Sequence, residues 1–199
     1  MGRMPRIGVF VLCLLPFLWL AFAAVSNQLG PDPAKTVMLF TGKWSLQMLA
    51  LTLLVSPLRT WTGWSQLIML RRMLGLYSFF YACIHFLAFL QLYIGWGPSA
   101  LAKELAERPY ITLGFSAWML LLPLAVTSTR AMQRRLRGNW QRLRRLVYPA
   151  AVLACLHLLW QARSDVGDAL ICLTVFTALL LWRVRRRSQK QQRSIIART

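Results

Sequence analysis

The chain has 199 residues, of which 57% are hydrophobic and 15% are charged, so it is far more apolar than a soluble domain. Its formal net charge of +19 would suit a nucleic-acid partner, because basic patches attract phosphates. The basic residues are divided between long apolar runs, however, and form no single stripe on a folded surface. We therefore expect no nucleic acid among the partners.

Six apolar runs follow one another along the chain, each close to the length of about 20 residues with which a helix crosses a bilayer. Lipid offers the backbone no hydrogen-bond partners, so each run is expected to be helical. The pattern predicts an all-α integral membrane protein, a bundle of six transmembrane helices at about residues 7–25, 40–58, 73–94, 110–127, 146–162 and 167–183. These form one membrane domain, residues 1–187, followed by a basic tail, residues 188–199.

The loops between the runs indicate how the chain is oriented. With the N-terminus in the cytoplasm, 19 of the 24 Lys and Arg residues fall on the cytoplasmic side and 5 on the outer side, as the positive-inside rule requires. The C-terminus is then cytoplasmic too. The first run is longer than the core of a signal peptide, so it is predicted to remain as an anchor. All five carboxylates fall on the outer side: Asp32, Glu104, Glu107, Asp165 and Asp168.

The only two histidines of the chain, His85 and His157, both lie inside apolar runs. An ionisable side chain is costly there and marks a candidate functional site. His85 lies 12 residues after Met73, where the third run begins, and His157 lies 11 residues after Leu146, where the fifth begins. At the rise of an α-helix these positions are roughly 18 and 16 Å deep. Two imidazoles at one depth on parallel helices can coordinate one metal ion from opposite sides.

Three interpretations of this pair remain open. The first is a bis-histidine haem for electron transfer, since haem iron needs only axial ligands. Small residues share a helix face with each histidine and would leave room for a macrocycle: Ala82 and Ser78 before His85, Ala154 and Ala150 before His157. The second is a pair of neutral histidines bonded to other helices, because small residues also serve plain helix packing. The third is a proton or ion path; structural zinc is disfavoured because it needs four ligands.

Distinctive strings recur along the chain. They include LLPFLWL in the first run, GPDPAK and FTGKWSL around the first outer loop, RRMLGL at the third run and ERPYITLG at the fourth. The most specific is TSTRAMQRRLRGNWQRLRRLVY, which leads into the fifth run. Together they resemble the family of haem-binding membrane subunits of bacterial periplasmic methionine sulfoxide reductases, within the ferric-reductase-like transmembrane domains. The resemblance covers nearly the whole chain.

This resemblance implies a b-type haem held between the third and fifth helices, with iron ligands that map onto His85 and His157. It implies a multi-pass location in the bacterial inner (cytoplasmic) membrane. It further implies electron delivery to a periplasmic methionine sulfoxide reductase subunit that contains molybdopterin and repairs oxidised proteins. FMN is a second cofactor that the family implies. The chain is then expected to be a redox subunit and not the subunit that converts the substrate.

Four arginines stand where the two histidine-bearing runs begin: Arg71, Arg72, Arg144 and Arg145. Such residues can set topology and contact lipid headgroups. Alternatively, their planar guanidinium groups can bind an anionic group, either a haem propionate or an FMN phosphate. A bacterial member of the family has the pattern W-Q-x-L-H before the fifth run, whereas this chain has WQRLR, with Arg144 in place of the histidine. Two histidines in total do not allow a second bis-histidine haem.

The electron donor is expected to be a separate molecule. No loop exceeds about twenty residues, and no G-x-G-x-x-G domain for NAD(P)H or FAD is present. Membrane quinol and a cytosolic flavin reductase are the two candidates. Alternative functions are a stand-alone ferric-reductase-like cytochrome and a non-redox transporter or assembly protein with a histidine proton relay. The four cysteines form no C-x-x-C pair and are interpreted as core residues.

Overall fold

The computed structural model describes residues 3–161 and 166–196, and every regular element in these ranges is helical. The prediction of an all-α protein is therefore confirmed. One π-helical turn, Leu90–Ile94, extends α3, and one 3-10 turn, Arg144–Leu146, leads into α8. In chain order the helices are α1 (Arg3–Val25), α2 (Pro33–Thr62), α3 (Leu67–Phe89), α4 (Pro98–Glu107), α5 (Pro109–Val126), α6 (Arg130–Leu136), α7 (Gly138–Leu143), α8 (Val147–Gln161) and α9 (Val166–Ile196).

Within the described residues, five helical stretches are long and apolar enough to cross a membrane: Arg6–Val25, Pro33–Thr62, Leu67–Ile94, Pro109–Val126 and Gly138–Gln161. They coincide with the first five predicted runs, although α2 extends beyond 40–58 at both ends because Asp32 caps its start and Gly63 ends it. The sixth predicted span lies within α9, whose helix continues to Ile196. Its crossing of the membrane, the cytoplasmic termini and the boundary at residue 187 stay predictions. Residue 162, Asp165 and residues 197–199 lie outside the described residues.

Two helix pairs form the centre of the bundle: α2 packs along α3, and α5 packs along α8. Small polar side chains bring the first pair close. Ser78 Oγ donates to the Ser45 carbonyl at 3.0 Å, and Ser45 Oγ donates to the Ser78 carbonyl at 3.1 Å. The second pair shares a buried cluster that includes Leu121 and Ala150. These four helices hold both histidines.

Helix α1 is fastened to the histidine-bearing helix α3 beside a proline. Pro16 lies inside α1, where a proline weakens the backbone ladder. The Tyr81 hydroxyl binds the backbone of this weakened turn: it donates to the Cys13 carbonyl at 2.8 Å and accepts from the Phe17 N–H at 3.2 Å. Tyr77 adds a bond to the Phe10 carbonyl at 2.9 Å. The position of α1 is thus fixed on α3 one turn before His85.

Candidate functional site

The two histidines, one on α3 and one on α8, come together in the centre of the bundle. Their ring centres are 6.3 Å apart and their planes are inclined by 79°. A metal ion such as zinc binds an imidazole nitrogen at about 2.0 Å, and the ring centre lies roughly 1 Å behind that nitrogen. Two rings on opposite sides of one ion would therefore have their centres about 6 Å apart. The observed spacing fits two imidazoles that share one metal ion.

Backbone carbonyls fix which nitrogen of each ring carries the proton. His85 Nδ1 lies 3.0 Å from the Met38 carbonyl of α2, and His157 Nδ1 lies 2.7 Å from the Tyr110 carbonyl of α5. A carbonyl oxygen can only accept, so each Nδ1 carries the hydrogen and donates it. Each Nε2 then keeps a free lone pair. Histidines that bind metals adopt this arrangement, in which an outer acceptor sets the tautomer and the ring orientation.

A glycine follows each of these carbonyls by four residues and contacts the same imidazole. A Cβ atom on Gly42 would lie 3.1 Å from His85 Cε1, and one on Gly114 would lie 2.9 Å from His157 Nδ1. We call Met38–Gly42 and Tyr110–Gly114 the histidine-holding segments. In each segment, a backbone carbonyl and a glycine one helical turn later contact the same imidazole ring.

Sequence reasoning missed the histidine-holding segments, although a signal for them was present. The strings FTGKWSL and ERPYITLG each place a glycine within a predicted membrane run. Glycine weakens a helix interior, so such a position usually has a packing or functional reason. The sequence alone could not say which side chain each glycine contacts.

The small residues before the histidines serve helix packing more than they serve the site. Ser78 is bonded to α2, and Tyr81 is bonded to α1. Ala150 is fully buried in the cluster that α2, α5, α8 and α9 share, and Ala82 packs against that cluster. Ser78 and Ala150 are thus packed against neighbouring helices, which agrees with the helix-packing interpretation of these small residues.

The donor set of the pair fits haem better than a structural metal ion. Among residues 3–161 and 166–196, no three or more His, Cys, Asp or Glu side chains come together in a group that could hold a metal. Zinc at a structural site would need four such ligands. Haem iron brings its own equatorial nitrogens and needs only two imidazoles with free lone pairs. The two histidines with their fixed tautomers meet that requirement.

The four predicted arginines also come together, at the other end of the same helices. They line a cavity of about 490 Å³, to which α9 contributes Arg183. Its apolar floor includes Leu49, Leu121 and Leu124, and Gln133, Trp140, Gln141 and Tyr148 lie around it. Five guanidinium groups thus converge here, and no acidic side chain of the described residues lines the cavity. Such a site attracts an anion.

One of these arginines has an unused hydrogen-bond donor. The Nε atom of Arg144 is buried and has no partner in the described part of the chain. Its guanidinium lies over the Trp140 ring at 4.8 Å, while Arg72 Nε donates to Ser128 Oγ at 3.1 Å. A buried donor without a partner costs free energy, so a bound anion would satisfy it.

Comparison with known families gives a match over more than half of the chain. The model of the ferric reductase like transmembrane component matches residues 41–155. This region contains His85, Gly42 and Gly114, and it ends two residues before His157. It also contains α3 and α5 in full and the larger parts of α2 and α8.

Curated relatives match over most of the chain, and the two described next carry the name "Protein-methionine-sulfoxide reductase heme-binding subunit MsrQ". A relative from Ralstonia nicotianae is 46% identical over 185 residues, which are 92% of this chain and 85% of the relative. One from Xanthomonas axonopodis pv. citri is 43% identical over 174 residues, 87% of this chain and 80% of the relative. No solved structure matches significantly. The membrane-length helices and these relatives confirm a multi-pass protein of the bacterial inner membrane.

Proposed function

The chain belongs to the ferric reductase like transmembrane component family and, within it, to the MsrQ heme-binding subunits, and we propose that it carries electrons through a haem b to a methionine sulfoxide reductase. The observation that carries the proposal is the histidine pair, with ring centres 6.3 Å apart and both Nδ1 atoms bonded to carbonyls. The partner is a periplasmic subunit that contains molybdopterin and reduces oxidised methionine in proteins. Membrane quinol or a cytosolic flavin reductase supplies the electrons.

His85 and His157 would be the axial ligands of the haem iron. A haem, when bound, supplies one-electron chemistry, and coordination by two imidazoles with no open position suits electron transfer. The residues of this chain hold the two rings: the carbonyls of Met38 and Tyr110 set their tautomers, and Gly42 and Gly114 set their positions. Rings that are held rigidly need little reorganisation when the charge on the iron changes.

The same bonds argue against a proton relay through the pair. Both Nδ1–H groups point at backbone carbonyls of helices α2 and α5, and the Thr41 hydroxyl beside His85 itself donates to a backbone carbonyl, that of Val37. A backbone carbonyl accepts a hydrogen bond but does not pass a proton onward. A relay would need a titratable partner at that position.

We also propose that the arginine-lined cavity holds an anionic cofactor group, for which a haem propionate and an FMN phosphate are the candidates. Arg72 precedes His85 by 13 residues, and Arg144 precedes His157 by 13 residues. These intervals correspond to roughly 20 Å along the helices. That separation favours the FMN phosphate, because a haem at the histidines lies far from the guanidinium groups.

The absorption spectrum tests the proposed function directly. Purified protein is expected to show a Soret band that sharpens on reduction, and extraction is expected to yield haem b. Reduced protein mixed with a periplasmic methionine sulfoxide reductase and an oxidised protein substrate is expected to reoxidise. A colourless protein would contradict the haem proposal. A coloured protein that the reductase does not reoxidise would favour the stand-alone cytochrome.

Replacing Arg144 and Arg145 together with glutamine is expected to reduce FMN affinity by well over tenfold. Each hydrogen bond to a charged group contributes about 1.5–3 kcal/mol, and the double variant loses two guanidinium groups from the cavity. Flavin fluorescence of the denatured protein measures how much FMN co-purifies. The matched control is the double change Arg134→Gln and Arg135→Gln, two exposed arginines of α6 that do not line the cavity. Equal flavin content in both variants would return Arg144 and Arg145 to a topological role.

A further inference from the structure

The two histidine-holding segments share only their final glycine, and one of their differences lies beside an imidazole nitrogen. In α2 the carbonyl of Met38 is followed three residues later by Thr41, and in α5 the carbonyl of Tyr110 is followed three residues later by Leu113. The α2 segment therefore presents a hydroxyl at a position where the α5 segment presents an alkyl side chain. The two rings therefore have different surroundings at Nδ1.

The hydroxyl of Thr41 is placed to accept from His85. Thr41 is fully buried, and its Oγ1 lies 3.3 Å from His85 Nδ1. The hydroxyl proton goes to the Val37 carbonyl of the same helix, at 2.7 Å. The oxygen lone pairs remain available, so the Nδ1–H of His85 is shared between the Met38 carbonyl at 3.0 Å and Thr41 Oγ1.

We infer that Thr41 is a positioning residue that lowers the reduction potential of the haem by acting through His85. The inference rests on the proposed function, in which His85 binds the iron. An acceptor on Nδ1–H draws the proton away from the ring and raises the basicity of the ligating nitrogen. A more basic axial ligand stabilises ferric iron over ferrous iron, and outer hydrogen bonds are a recognised means of setting a haem potential.

The alternative is a purely structural role, in which Thr41 makes only a hydrogen bond within its own helix. Threonines in helices commonly donate to the carbonyl four residues earlier. Thr174 of α9 does so, with Oγ1 2.7 Å from the Leu170 carbonyl, and in the described part of the chain it forms no hydrogen bond with either histidine. Thr174→Val therefore removes a threonine hydroxyl with the same type of helix bond, but at a position away from the site. It serves as the matched control.

Potentiometric titration of the purified holoprotein, followed at the haem bands, tests the inference. Thr41→Val is expected to shift the midpoint potential in the positive direction while the low-spin spectrum is kept. Thr41→Ser, which restores the hydroxyl, is expected to return the midpoint towards that of the parent. Thr174→Val is expected to leave it unchanged. If Thr41→Val loses the haem, Thr41→Ala removes the hydroxyl without the branched side chain, and its midpoint decides.

Three results would overturn the role of Thr41. They are an unchanged or negatively shifted midpoint in the variant that lacks the hydroxyl, a serine variant that behaves like the valine variant, and an equal shift in Thr174→Val. Each of them leaves the histidine pair as the haem site. Parent protein without haem would instead contradict the proposed function and this inference together.

Discussion

Replacing either His85 or His157 with alanine is expected to abolish haem binding, with the haem content per protein falling more than tenfold. The chain has two histidines in total, so no third imidazole can take the place of the one removed. Each alanine also leaves the facing Nδ1 acceptor, a carbonyl of α2 or α5, without its donor. The double variant should be no worse than either single variant, because two ligands of one ion act as a unit. Absorption spectra of equal amounts of purified protein measure the loss.

The matched control for the histidine variants is Cys155→Ala. Cys155 is buried on α8, two residues before His157, and packs in the central cluster. Its replacement disturbs the packing near the site but removes no ligand, so the haem content should stay close to that of the parent. A low-spin spectrum like that of the parent in either histidine variant would show that the pair does not ligate the iron.

The proximity of the two histidines along the bundle could be predicted from the sequence because it follows from helix geometry. Each lies eleven or twelve residues into its predicted run, and the rise per residue is constant. The convergence of Arg71, Arg72, Arg144 and Arg145 follows from the same geometry, since these residues begin the same two helices. The position of a residue along a helix axis can thus be predicted from the sequence before the packing of the helices is known.

Positions around the helix axis could not be predicted in this way. Ser78 precedes His85 by seven residues and shares its face, and both side chains bond to α2, but the sequence does not show which helix that face meets. The rotation of α3 is set by contacts with α1 and α2, including the Tyr81 bonds at Pro16. For the same reason the carbonyls of Met38 and Tyr110 could not be identified: which backbone oxygen meets which ring depends on how α2 and α5 are docked.

The glycines of the histidine-holding segments should differ in how much they tolerate a methyl group. At Gly114 an added Cβ would lie 2.9 Å from Nδ1, 3.0 Å from Cε1 and 3.1 Å from Cγ of His157. At Gly42 it would lie 3.1 Å from Cε1 and 3.2 Å from Nδ1 of His85. The first contact is too short to persist, whereas the second requires a shift of only a few tenths of an ångström. At Gly8 of α1 nothing lies within 4 Å.

Gly114→Ala is therefore expected to weaken haem binding by 10- to 100-fold, the range found when an outer partner of a metal-bound histidine is lost. The ring of His157 cannot retreat from the new methyl group without lengthening its 2.7 Å bond to the Tyr110 carbonyl, because both contacts come from the same turn of α5. Gly42→Ala should show a smaller loss, and Gly8→Ala none.

Transfer of haem to an excess of a haem-free acceptor protein measures the three affinities. Since alanine is the better helix former by about 1 kcal/mol, helix propensity favours all three variants, and a loss confined to the site cannot come from the helix itself. Equal retention in Gly114→Ala and Gly8→Ala would mean that α5 gives way to the methyl group, and that Tyr110–Gly114 does not hold the ring in place.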